Sequence, residues 1–137
     1  MPEDNLNKSD IAYAAGLFDG EGSVSIGIKR RPNQKPFHEL YVQMSMVRRE
    51  ALDFLVANWG GKVYSWHGST GRAYYKWCIY TARAAGFLEC ILPEIRIKNH
   101  AVELALSVRG IKDFDNRETI HQALKKENRR RPLKEGP

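Results

Sequence analysis

Thirteen residues, Asp10 to Gly22 (DIAYAAGLFDGEG), restrict this chain more than any other stretch. From Ile11 to Phe18 no side chain is charged, and the small residues Ala12, Gly16 and Gly20 recur every four positions. That spacing makes a helix with one side along which a second backbone can approach closely. A helix that is apolar all round is normally buried all round, and a chain of 137 residues has little with which to surround one. The pattern therefore predicts a partner helix, most simply the same helix from a second copy, with Ile11, Leu17 and Phe18 left for the subunit's own core. Ser9 or Asp10 is expected to cap the N-terminus. Gly20 and Gly22 are expected to end the helix, so that Asp19 and Glu21 project from a glycine-bounded turn before the chain enters an alternating run.

The distribution of charge narrows the partner. The net charge is +6, and residues 22 to 81 carry all of it, with nine Lys/Arg against three acids; elsewhere thirteen basic residues balance thirteen acidic ones. A basic segment that also reads as strands predicts a sheet facing a polyanion. No run approaches the roughly 18 apolar residues of a membrane span, so no membrane partner is expected. The polar N-terminus has no signal-peptide pattern, and Cys78 and Cys90 have neither metal-ligand nor disulfide-framework spacing. Those features predict an intracellular protein with reduced thiols. Nothing in the sequence calls for a small-molecule substrate.

Along the chain, Ser23 to Arg31 alternates, predicting a half-buried strand with Val24, Ile26 and Ile28 inward. After a basic, Pro-punctuated connection, Phe37 to Ser45 resumes the alternation with Leu40, Val42 and Met44 inward. Arg48 to Trp59 has helical spacing and stops at Gly60-Gly61. Lys62 to His67 and Ala73 to Thr81 form a second hairpin, with Val63, Ser65, Tyr75, Trp77 and Ile79 inward. Helices follow from Ala82 to about Pro93 and from Asn99 to Val108, the latter capped by Asn99. A last helix is marked by the capping box Asp115-Asn-Arg-Glu118. The order is α+β: two β-β-α repeats around an antiparallel sheet. The expected organisation is an N-terminal arm over 1–8, one domain over 9–124, and a basic tail over 125–137 that either contacts phosphate or lacks order.

Ala14-Ala-Gly-Leu-Phe-Asp-Gly-Glu-Gly22 resembles the signature of the LAGLIDADG homing endonuclease family, and the resemblance runs from about residue 9 to residue 110, including Lys98 in Ile95-Arg-Ile-Lys-Asn99. One motif per chain implies a homodimer with a saddle-shaped, curved antiparallel DNA-binding sheet. The interface would use Ala12, Ala15, Gly16 and Asp19. By the same resemblance Glu21, with the Gly20 carbonyl, is the metal ligand, Mg²⁺ is the cofactor with Mn²⁺ able to substitute, and Lys98 is the late basic active-site residue. Arg48 and Arg49 are both candidates for the second basic group. A catalytic Gln closing the second strand is replaced here by Met46, and Gln43 is the nearest amide. If Asp19 and Glu21 were only helix caps, replacing Glu21 would cost stability and not activity.

The outward residues of the predicted strands are the candidate DNA readers: Ser25, Gly27, Lys29, Arg31, Glu39, Tyr41 and Gln43 from the first hairpin, and Lys62, Tyr64, Trp66, Arg72 and Lys76 from the second. A two-stranded ribbon fits the major groove, where Lys and Arg pair with guanine and Gln with adenine. The expectation is a site-specific, metal-dependent endonuclease making a double-strand break in a long near-palindromic site of double-stranded DNA. The alternative is an RNA maturase or a non-cleaving DNA-binding protein on the same scaffold.

Overall fold

The computed structural model describes residues 6–129. Five helices and four strands alternate in the order α1 (Lys8–Glu21), β1 (Gly22–Lys29), β2 (Phe37–Met46), α2 (Arg49–Trp59), β3 (Lys62–His67), β4 (Ala73–Tyr80), α3 (Thr81–Ile91), α4 (Asn99–Ser107) and α5 (Phe114–Arg129), with short 3₁₀ turns after α3 and α4. The strands form one antiparallel sheet ordered β1-β2-β4-β3. Each hairpin thus places its second strand at the centre, and the two halves meet along β2 and β4.

Register fixes which side chains share a face, because directly paired residues of antiparallel strands point the same way. Val24 pairs with Val42 and Val42 with Ile79; Met44 pairs with Trp77 and Trp77 with Val63. This is the inward set expected from the alternation, and it lies against the helices. Phe87 of α3 anchors the contact: its ring meets Trp59 at 4.9 Å, Trp77 at 5.2 Å and Phe18 at 6.2 Å, all edge-on. Four fully or nearly fully buried aromatics from α1, α2, β4 and α3 therefore join the two halves in one core.

Several local expectations are corrected. The cap of α1 is Asn7, whose Oδ1 accepts the Asp10 N–H at 2.8 Å, and not Ser9 or Asp10. The helix does not stop at Gly20. It runs to Glu21 and passes straight into β1, so Gly22 is both its C-cap and the first strand residue. A glycine is required there by space, since a Cβ would lie 2.5 Å from Phe18 Cδ1. Asn99 is the first residue of α4, not its cap, and its amide donates to the Ile95 carbonyl. Before α5 the capping acid is Asp113, which accepts the Asn116 N–H at 2.9 Å, while Glu118 turns away to two histidines. The helix continues to Arg129, into the expected tail; residues 130–137 and 1–5 lie outside the described residues. No helix among the described residues is long and apolar enough to cross a membrane.

Candidate active site and nucleic-acid interface

Asp19 and Glu21 are separated by about 200° around the helix axis at 3.6 residues per turn, so they face opposite ways. Asp19 faces the chain between α3 and α4. Its Oδ2 accepts the N–H of Arg96 at 2.7 Å, and its Oδ1 accepts those of Ile97 at 3.2 Å and Lys98 at 3.1 Å. One carboxylate thus seats three consecutive residues of a loop nearly eighty positions away. Asp19 is expected at the dimer interface; here its carboxylate is spent on a loop of its own subunit.

That seat brings Lys98 over the end of α1. Its ammonium donates to the Phe18 carbonyl at 3.2 Å and to the Gly22 carbonyl, and it stands 5.6 Å from the Phe18 ring centre. The last carbonyls of a helix have no partner within it and carry partial negative charge, so a lysine is well placed there. Burial lowers the Lys98 pKa from its ordinary value, and Asp19 and Glu21 act against that shift. Asp19, Glu21 and Lys98 therefore form one electrostatic unit at the α1–β1 junction.

Glu21 has a different environment. It is exposed and makes no hydrogen bond or ion pair among the described residues. Both its oxygens are open, and Gly20 beside it offers one of the unpaired helix-end carbonyls. Hard oxygen donors in this number suit Mg²⁺, which takes one or two carboxylates and keeps several waters. The other expected groups lie apart. Arg48 pairs with Glu50 at 3.2 Å, and Arg49 pairs with Asp53 at 3.1 Å while its guanidinium stands 5.7 Å from the Tyr75 ring centre. No contact among the described residues joins either arginine to Glu21 or Lys98. Met46 shares the helix-side face with Tyr75 and packs on the core. Ser45 instead presents its hydroxyl on the opposite face.

Of the expected interface, Ala12, Gly16 and Gly20 form an exposed stripe along α1, and a Cβ added at Gly16 or Gly20 would meet nothing within 4 Å. Ala15 does not belong to it: at 1% exposure it is in the subunit's own core. Tyr13, within the same helix, and Ile97, in the loop that Asp19 holds, are 50% and 75% exposed.

The face of the sheet away from the helices holds Ser25, Gly27, Lys29, Glu39, Tyr41, Gln43, Lys62, Tyr64, Trp66 and Lys76, as the alternation predicts. Arg31 and Arg72 are exposed in the connections beyond the strands, with Arg31 5.4 Å from the Phe37 ring centre. Rows run across the sheet: Ser25, Tyr41 and Tyr80; Ser23, Gln43, Cys78 and Lys62; Ser45, Lys76 and Tyr64. Ser23, Ser45, Tyr74 and Tyr80 belong to this face and were not among the expected readers, although the same alternation marks them. Trp66 stacks on Tyr74 at 5.6 Å, so these aromatics also support one another. Glu39 lies 3.7 Å from Lys29 and offsets part of its charge.

Several solved structures with this architecture are complexes with DNA. The chain superposes on the homing endonuclease I-CvuI, in complex with its target in the presence of calcium, with a TM-score of 0.74 and 16% identity over 92% of this chain and 88% of that one. The archaeal intron-encoded homing endonuclease I-Vdi141I complexed with DNA matches equally, at 0.74 and 16% over 93% and 89%. The LAGLIDADG homing endonuclease I-GzeII in complex with its DNA target matches at 0.59 and 12% over 83% of this chain. The fold is that of the LAGLIDADG endonucleases. This chain covers 42% of I-GzeII but most of I-CvuI and I-Vdi141I, so it holds one LAGLIDADG-fold unit where I-GzeII is about twice as long. No protein-family profile matches the sequence, and no curated protein matches it significantly.

Proposed function

We propose that this chain is one subunit of a homodimeric, Mg²⁺-dependent, site-specific DNA endonuclease. The observation that carries the reading is the division of labour at the end of α1: Asp19 is consumed in holding Lys98, whereas Glu21 is left open beside it. A carboxylate without a partner, next to a partly buried lysine and at the head of a basic sheet face, suits a group that meets phosphate through metal. Packing on the Ala12-Gly16-Gly20 stripe would bring a second Glu21 and a second Lys98 to the dyad.

Metal bound there would activate water and neutralise charge on the scissile phosphates. Glu21 and the Gly20 carbonyl would hold it. Lys98, fixed by its two carbonyl partners, would offset phosphate charge. The outer sheet face would read base edges in the major groove, with Lys29, Lys62 and Lys76 as guanine or phosphate partners and Gln43 as an adenine partner. Two-fold symmetry of the protein would be mirrored in a near-palindromic site.

Met46 favours a second reading. An apolar side chain turned into the core cannot position water, and this supports a non-cleaving DNA binder or RNA maturase on the same scaffold. Cleavage of a randomised double-stranded DNA library in Mg²⁺, comparing the native protein with Glu21→Gln, decides between them. The endonuclease requires discrete cutting that the substitution abolishes while binding persists. Selected binding with no cutting in Mg²⁺ or Mn²⁺ would establish the second reading.

A further inference from the structure

At the start of β2 and on the inner side of α5, three groups with metal-ligating atoms meet. His38 is the second residue of β2, and Glu118 and His121 are three apart on α5, hence neighbours on one side of that helix. Glu118 Oε1 lies 2.8 Å from His38 Nε2 and 3.2 Å from His121 Nδ1, and one ligand atom from each residue falls within 4.8 Å of the others. It is the one such group of His, Cys, Asp and Glu among the described residues. From His38 to Met44, the partner of Gly22, is six residues of strand, about 20 Å at roughly 3.3 Å each, so this cluster is remote from Glu21.

We infer that His38, Glu118 and His121 bind one transition-metal ion of the Zn²⁺ class. Ligand atoms held about 2.0–2.1 Å from a tetrahedral ion sit about 3.3 Å apart, and the two spacings to Glu118 lie close to that. Imidazole with carboxylate selects Zn²⁺, Co²⁺ or Ni²⁺ over Mg²⁺, the reverse of the all-oxygen set at Glu21. Gln122 Nε2 donates to Glu118 Oε2 at 2.6 Å and orients the carboxylate from outside. Hydrogen bonds from His38, Gln122 and His121 hold the Glu118 acid down at about 2, so the ligand is an anion at neutral pH. The His38 side chain is fully buried, yet its Nδ1 has no partner, and a cavity of about 220 Å³ lies beside the ring. That cavity has room for a water that would take up Nδ1, the outer partner a metal-bound imidazole needs. Arg109 and Arg117 also line it, Arg117 with its Nε bonded to the Ile111 carbonyl, which favours water or an anion there.

The consequence is a staple. Among the residues of α5 only His121 and Leu124 are buried, so a bond through metal to β2 would fasten a weakly anchored helix across eighty residues of chain. The inference is independent of the endonuclease reading.

The test uses the full chain, stripped with EDTA and titrated with Co²⁺. One equivalent should give the visible d–d absorption of a low-coordinate site, displaced by Zn²⁺, and Zn²⁺ but not Mg²⁺ should raise the unfolding temperature. Glu118→Gln, which preserves the shape of the trio, and His121→Gln should each weaken Co²⁺ binding on the order of a hundredfold, by the scale of metal-site losses. Glu21→Gln should leave it unchanged, so failure here and failure of the cleavage reading are separable. No absorption from the folded native protein overturns the inference without recourse to any variant. So does an absorption that survives in both variants, which would place the ion elsewhere, for example on Cys78 or Cys90.

Discussion

Asp19→Ala isolates the loop seat from the open carboxylate. The substitution removes the acceptor of three N–H groups, those of Arg96, Ile97 and Lys98. Hydrogen bonds to a charged group contribute about 1.5–3 kcal/mol each when they cannot be replaced. Arg96 and Ile97 are exposed, so water takes over much of their share; Lys98 is partly buried. The expected loss is about 2–3 kcal/mol in all. With a urea slope of roughly 1–3 kcal/mol/M for small proteins, the unfolding midpoint should fall by about 0.7–3 M. Asp19→Asn should fall between, because its one oxygen can serve the Ile97 and Lys98 donors while its NH₂ confronts the Arg96 N–H. Cleavage should decline as well, since Lys98 loses its seat. Glu21→Gln, measured beside it, should leave the stability within about 0.5 kcal/mol of the native value, as expected for an exposed group. An Asp19→Ala midpoint equal to the native one would refute the assignment of Asp19 to structure.

Three further outcomes are expected. Gly22→Ala should destabilise by about 1–3 kcal/mol, the usual cost of forcing atoms into a packed region, because its Cβ meets Phe18 at 2.5 Å; thermal denaturation measures it. Gly16→Val should leave the subunit folded, having open space around it, and shift sedimentation from dimer to monomer; a variant that stays dimeric would remove the α1 stripe from the interface. Glu118 has its acid lowered from 4.5 to about 2, first by the His38 hydrogen bond, so its stabilisation is complete above pH 4.5 and lost as pH falls toward 2. Urea midpoints across that window should fall for the native protein and vary less for Glu118→Gln.

What could be read from the sequence divides by the range of the interaction. Strand faces were legible, because one buried side imposes a two-residue period; even the parity of the second hairpin, with Trp77 in and Lys76 out, follows it. The small-residue stripe was legible from its four-residue spacing, which keeps Ala12, Gly16 and Gly20 on one side of a helix. The caps were not. Asn7, Ser9 and Asp10 are all competent caps, and only the start of the first turn selects Asn7. Asp115-Asn-Arg-Glu118 has the form of a capping box, but His38, eighty residues distant, offers Glu118 a buried partner that the local pattern does not contain. Asp19's grip on residues 96 to 98 left no local trace either, although Lys98 itself was identified through family resemblance. Ala15 was misplaced because a uniformly apolar helix conceals which side its own core claims.

The direct passage of α1 into β1 has a consequence for how such a protein changes over time. With no loop between them, the acidic end of the helix cannot be displaced without moving the first strand or parting Gly22 from Phe18. The outer residues of the sheet carry no such obligation, since the core is assembled from the opposite faces of the same strands. Substitutions at Ser25, Tyr41, Lys62 or Trp66 are therefore nearly free to accumulate while the end of α1 stays fixed. On the endonuclease reading, a lineage built on this scaffold could drift from one target to another without relearning how to fold.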